Sequence, residues 1–350
     1  MIYFIVIYCL VVSIFFLNIY FHNKYLEKFF SIFIALLLSI LPGLRGVSVG
    51  TDTEIYENIL SSNLKNNTYF RDNLEPGFFH LVEIFQFFSI EEYFFWSVSF
   101  FANFLFISTI FSLKKYRFIA LLSYLTFSHI YMMGFNILRQ YLAMSIYCFS
   151  LNYLFNERKI KHFIIWLISI IFHYSSIFYL FFSLIYLALK KNFNKSIYFI
   201  CFVLPFIYNF LTNIILEYFI GISGKEIFDQ YIDKTGSSGS LFQLLLYLVI
   251  LFLILIFSNF NNIVFRFYFS IYILYLSFFI NITFFNLAYE GAGRLIVNTY
   301  ISILFVFSFL KFGKYKYIFY INLIVLWCIL FYYFYGVTKY YGIFPFKFIE

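Results

Sequence analysis

Tyr131-Met132-Met133-Gly134-Phe135-Asn136-Ile137-Leu138-Arg139-Gln140-Tyr141-Leu142-Ala143 holds one cation, Arg139, between apolar sequences long enough to lie in lipid. A guanidinium keeps its proton at any physiological pH. Placing one at mid-membrane depth costs roughly 2.5–3.5 kcal/mol on translocon-insertion scales. A chain tolerates that only when the charge has a partner, a wet cavity or an anionic ligand. Arg139 therefore marks the class of protein and also the place to look for its function.

The sequence on either side makes the class plain. Of 350 residues, 63% are hydrophobic and only 11% charged. Apolar runs of about 18 or more residues read as membrane-spanning helices. The expectation is an all-α, polytopic transmembrane protein. Its first 21 residues have no basic n-region or small-residue cleavage site, so they read as a retained first span. Cys9, Cys148, Cys201 and Cys328 stand singly in apolar stretches, the pattern of packed small hydrophobes and not of a metal site or a disulfide framework. The net charge of +8 does not point to nucleic acid, because the excess sits in short loops, where it orients membrane helices.

Lys24 and Lys28, Lys114 to Arg117, Arg158 to Lys161, Lys190 to Lys195, Arg266, and Lys311 to Lys316 should all be cytoplasmic. Loops richer in acid should face the other side: 43–77 with Asp52, Glu54, Glu57, Asp72 and Glu75; 220–240 with Glu226, Asp229 and Asp233; and the stretch around Glu290. The result is one integral-membrane domain over residues 1–350, with a periplasmic loop at 43–77 and a smaller one at 220–240. About ten full spans are expected, near 2–21, 29–42, 93–113, 117–133, 136–155, 196–219, 241–257, 264–285, 294–310 and 317–336. The apolar run 163–189 breaks the alternation, since basic clusters flank it at both ends. It exceeds the ~20 residues needed to cross once. Its interruption by His173-Tyr174-Ser175-Ser176 suggests a broken-helix hairpin with His173 at the bend; one long tilted helix is the alternative. Pro76-Gly77 opens a helix too short to span, reaching about Ile90 and expected at the interface or half inserted.

Under this topology polar residues converge on the non-cytoplasmic face. They are Arg45 and Asp52 after the second span, Glu75 before Pro76, Arg139-Gln140 at the mouth of a span, His173 at the bend, and Arg294 opening a later span. Simpler roles exist for each: Arg45 and Arg294 could snorkel to headgroups, Asp52 could cap the helix through Tyr56, and His173 could be a satisfied interior histidine. His22 and His162, beside lysines, read as interface residues, and His80 and His129 as minor extras. Guanidinium forks hold phosphate or pyrophosphate oxygens bidentately. An imidazole or carboxylate can take a proton from an attacking hydroxyl near neutral pH. No DxD motif, metal cage or glycine-rich phosphate loop accompanies them, so no metal or cofactor is expected.

These residues resemble the EpsG-type family of bacterial polysaccharide polymerases, the Wzy class. The family pattern is an Arg and then Gly-Thr-Asp-Tyr after the second span, a Glu ahead of a Gly, an Arg-Gln-x-Leu-Ala helix start, and a later His-Pro-Ser break. The matching residues are Arg45, Gly50-Thr51-Asp52, Tyr56, Glu75-Pro76-Gly77, Arg139-Gln140-Tyr141-Leu142-Ala143 and His173-Tyr174-Ser175, over about 40–185. Thr53 stands where the family has Tyr, and Tyr174 where it has Pro. The resemblance implies a metal-independent, GT-C-like glycosyltransferase in the bacterial inner membrane with its active site towards the periplasm. It would join undecaprenyl-pyrophosphate-linked oligosaccharides into O-antigen, such as that of lipopolysaccharide, or a similar polymer. A flippase and a chain-length regulator would be its partners. In that chemistry His173 or Asp52 is the base and Arg139 stabilises the leaving pyrophosphate, while Arg45, Gln140, Arg294, Glu75 and Tyr56 bind substrate. A lipid-linked sugar flippase or other transporter also uses broken helices and intramembrane arginines. An integral-membrane acyltransferase would use a histidine base as well.

Overall fold

The computed structural model describes residues 2–21, 23–62, 74–126, 129–192, 194–223, 241–285, 289–310, 325, 328–337, 342–343 and 346–348. Asp72, Glu226, Asp229, Asp233, His22, Lys311, Lys314, Lys316 and half of the span expected at 317–336 lie outside them. Every regular element among the described residues is helical, apart from isolated two-residue bridges. Among the described residues, three helices are long and apolar enough to cross a membrane: Tyr25–Gly43, Glu91–Ser112 and Ile263–Phe284. Several shorter apolar helices accompany them, and together they are the mark of a multi-pass membrane protein.

The chain forms two compact units. The first comprises Met1–Ile177 with Tyr317–Glu350. It holds α1 (Ile2–Phe21), α2 (Lys24–Gly43), α3 (Thr53–Ser61), α4 (Pro76–Phe87), α5 (Phe94–Ser112), α6 (Arg117–Leu125), the single turn α7 (Ile130–Met133), α8 (Leu138–Phe155) and α9 (Lys159–Phe172). Local sequence sets these boundaries. Asn23 caps α2, its side chain accepting the Tyr25 N–H at 2.9 Å. Pro76 opens α4 at its first turn, where a missing N–H costs nothing. Helix α5 packs against both α2 and α8. At the α2–α5 crossing Gly43 is obligatory, because a Cβ there would lie 2.7 Å from the Trp96 Cβ.

One expected span is corrected. Residues 117–133 are not a single helix: α6 ends at Leu125, His129 takes a left-handed φ of 60°, and α7 is one turn only. Interrupted backbone at such depth survives when protein encloses it. Ile130 to Met133, with Phe135 and Asn136, are all buried, and their carbonyls and side chains serve the loop after α2, as shown below. His162 is corrected as well. Expected in a loop beside lysines, it lies inside α9, 5% exposed, with Nδ1 3.2 Å from the Ser150 carbonyl on α8.

The second unit, Phe178–Lys316, contains α10 (Tyr179–Lys190), α11 (Asn194–Ser223), α12 (Leu241–Phe257), α13 (Ile263–Phe285) and α14 (Tyr289–Val306). Helix α13 is its centre, touching α10, α11, α12 and α14. Buried Phe, Tyr, Leu and Ile fill it, from Phe265 at 0% exposure to Tyr300 at 6%.

Candidate active site

The loop after α2 is built around Arg45, which is 1% exposed. Its Nε donates to the Thr53 hydroxyl at 3.1 Å, and Nη1 donates to the carbonyls of Pro42 at 3.1 Å and Gly134 at 2.9 Å. The guanidinium stacks 4.1 Å from the Phe95 ring centroid. Burial lowers its pKa to about 10, the nearby Tyr56, Glu57 and Asp52 opposing that fall, so it stays charged. Thr53 donates to the Val49 carbonyl at 2.5 Å, and the Asn136 side chain accepts the Thr51 N–H at 2.7 Å. Gly50 has φ +88°, and a Cβ there would meet the Phe135 carbonyl at 2.3 Å. Arg45 thus joins the end of α2, the start of α3 and the irregular stretch 134–136. It holds the loop in shape.

The C-terminal segment closes this loop from its other side. Gly46 N–H donates to the Lys347 carbonyl at 2.9 Å, and Gly50 N–H to the Gly342 carbonyl at 3.0 Å. Phe346 packs edge-on against Phe4 and Phe135, and Phe348 against Tyr3.

The charged centre forms around Glu75, the residue before Pro76. It is 4% exposed. One carboxylate oxygen accepts Arg139 Nη1 at 2.5 Å, and the other accepts His173 Nδ1 at 2.6 Å. Burial pushes this carboxyl up from its ordinary 4.5, but the His173 hydrogen bond and the charge of Arg139 outweigh it and hold it at about 2. An ionised carboxylate only accepts, so His173 Nδ1 carries a proton and Nε2 is the nitrogen that bears the lone pair in the neutral form of the ring. That Nε2 is buried with no hydrogen-bond partner. The Tyr56 phenol lies within electrostatic reach of Arg139, whose guanidinium is 5.8 Å from the Phe78 ring centroid.

Local structure explains why Glu75 meets His173. Helix α9 stops at Phe172, His173 is extended at φ −160°, and a 3₁₀ turn over Tyr174–Phe178 follows. The Trp166 indole donates to the Ser176 carbonyl at 2.9 Å and fixes the break without a proline. Gly77 sits against this helix end, where a Cβ would lie 2.7 Å from Ile171 Cγ2 and 3.0 Å from the Ile171 carbonyl. Only a glycine lets the start of α4 come close enough for Glu75 to reach the imidazole.

The other expected residues are placed differently. Asp52 occupies the position before α3 but makes no capping bond; its carboxylate accepts the Thr51 hydroxyl at 2.8 Å. Gln140 is 1% exposed in the first turn of α8. Arg294 falls within α14 of the second unit, and its side chain lies outside the described residues. Sequence reading had noted Thr53 only as a departure from the family pattern and had not singled out Asn136, Phe78 or Phe95. Their signal was faint, since each is an ordinary residue type whose role comes from a distant partner.

No curated protein and no solved structure matches the chain. A family model does, over residues 28–348, well beyond the 40–185 that carry the motifs. The loop after α2, Glu75 before its glycine, the Arg139-Gln140 helix start and the His173 break all lie inside that match, and the chain belongs to the EpsG family of multi-pass membrane proteins of polysaccharide biosynthesis.

Proposed function

We propose that this protein is a Wzy-type polymerase, joining undecaprenyl-pyrophosphate-linked oligosaccharides by metal-independent glycosyl transfer. One observation carries the reading: Glu75 holds Arg139 and His173 with its two oxygens, leaving His173 Nε2 enclosed and unpartnered. A carboxylate that orients an imidazole makes it a positioned general base. A guanidinium beside it stabilises departing pyrophosphate. His173 Nε2 takes the proton of the acceptor hydroxyl. That oxygen forms the new bond to the donor's anomeric carbon, and the carbon–oxygen bond to pyrophosphate breaks, its electrons leaving with the phosphate. A single displacement inverts the anomeric centre, by analogy with inverting hydrolases.

In this reading Glu75 is a positioning residue, Tyr56 helps hold Arg139, and Arg45 shapes the loop. Gln140 remains a substrate-binding candidate. Asp52 is the alternative base. The site faces the periplasm in a GT-C-like bundle of about ten spans in the bacterial inner membrane. A flippase delivers substrate and a chain-length regulator acts with the enzyme.

A polymer-ladder assay in a deletion strain tests the reading. His173→Ala should leave single repeat units and eliminate longer products, because a general base contributes ~10²–10⁴ in rate. A full ladder from His173→Ala with none from Asp52→Asn would move the base to Asp52. Full ladders from both would sink the proposed site.

A further inference from the structure

The second unit carries a cavity of about 460 Å³ lined by Tyr198, Phe260, Asn261 and Arg266. That volume lies within the ~300–1,000 Å³ typical of ligand sites. The turn joining α12 to α13 builds it. The Asn259 side chain accepts the Asn261 N–H at 3.1 Å, and the Asn262 side chain accepts the Val264 N–H at 2.9 Å, capping α13. Phe260 is held edge-on by Phe265 at 5.2 Å and Phe269 at 5.1 Å, and Tyr198 packs on Phe269 at 5.4 Å. The walls are therefore fixed.

The chemistry of the lining suits an anion. Arg266 sits in the first turns of α13, where its charge adds to the positive end of the helix, so the two together favour an anion. Tyr198 lies within the electrostatic reach of Arg266, and its hydroxyl is buried with no hydrogen-bond partner. Lys195, exposed, stands one turn before Tyr198 on α11 and so on the same helix face. Among the described residues no carboxylate lines the cavity. Just beyond Tyr198 the same helix exposes Phe199, Ile200 and Phe202, a surface suited to acyl chains.

We infer that this cavity binds the phosphate of an anionic membrane lipid, with Arg266 and Tyr198 as its ligands and the acyl chains along the exposed face of α11. Basic pockets at the ends of membrane helices take anionic headgroups in this way. On the topology proposed above it is a cytoplasmic site.

The test uses the full-length protein purified in neutral detergent and titrated with phosphatidylglycerol or phosphatidylcholine, bound lipid being counted by native mass spectrometry. Phosphatidylglycerol should bind preferentially. Arg266→Gln should weaken it roughly tenfold or more, the scale of one charge-assisted hydrogen bond. Tyr198→Phe, which leaves the ring packing intact, should weaken it several-fold, and Lys195→Gln about twofold. Equal losses from Lys195→Gln and Arg266→Gln would reduce the effect to diffuse surface charge and overturn the site. So would unchanged binding in both Arg266→Gln and Tyr198→Phe. Inorganic phosphate at millimolar concentration should not displace the lipid; complete displacement would assign the site to a soluble anion instead. Polymer ladders play no part in the readout, so the outcome is independent of the glycosyl-transfer reading.

Discussion

At the scale of single residues, Glu75 organises the charged centre, and its own ionisation sets the limits of what it does. Held at about 2, it is ionised at any physiological pH. A carboxyl depressed on folding contributes stability that is complete above its ordinary 4.5 and is lost as pH falls towards 2. Thermal unfolding of the purified protein between pH 5 and 2 should therefore show a falling melting temperature. In Glu75→Gln that melting temperature should start lower and fall less steeply. The same substitution should cut polymerisation by about 10²–10⁴, because neither the His173 tautomer nor the Arg139 position is then enforced. Arg139→Lys is a sharper probe still, since it keeps the charge and removes the planar fork. Polymer should disappear at wild-type protein level. A normal ladder from the lysine variant would mean that a point charge suffices and that bidentate phosphate binding is wrong.

At the scale of elements, what was legible were local signals. Pro76-Gly77 announced α4, and His173-Tyr174-Ser175-Ser176 announced the break after α9 even without the family's proline. What was not legible depended on contacts between distant segments. Arg45 looked like a phosphate ligand because a lone arginine near a helix end has two physical solutions, a ligand or a cage of carbonyls. The cage is formed partly by Gly134, whose availability follows from the broken span at His129. Nothing local forbids a continuous helix over 117–133; the left-handed histidine is tertiary in origin. Glu75 was read as a substrate contact for a similar reason, since its partners at Arg139 and His173 come from α8 and the end of α9. The junction of α4 and α9 gives a prediction of its own. Gly77→Ala inserts a methyl 2.7 Å from Ile171 Cγ2, so α4 must retreat and Glu75 must withdraw from the imidazole. Polymerisation should fall at least tenfold with the protein still present in membranes, and Ile171→Ala in the same chain should restore part of it. No recovery in the double variant would show that the Ile171 carbonyl, and not its side chain, sets the spacing.

At the scale of the whole molecule, composition and loop charge were enough to give a helical membrane protein, because lipid leaves the backbone so few choices. The division into two compact units carried no such signature. Neither did the return of the C-terminal segment to the loop after α2, since backbone pairing through Lys347 and Gly342 carbonyls is blind to side-chain identity. Removing residues 342–350 should therefore leave the chain in the membrane yet abolish polymer, with the 45–53 loop newly open to protease in right-side-out vesicles. A truncated chain that still makes a full ladder would show that the pairing is dispensable. The pairing also bears on how the protein is born. The first helices leave the ribosome and enter the bilayer long before Gly342 and Lys347 are translated, so the Arg45 loop waits, half supported, until synthesis is almost finished. A nascent chain stalled anywhere short of that point would hold its place in the membrane with its Arg45 loop still unclosed.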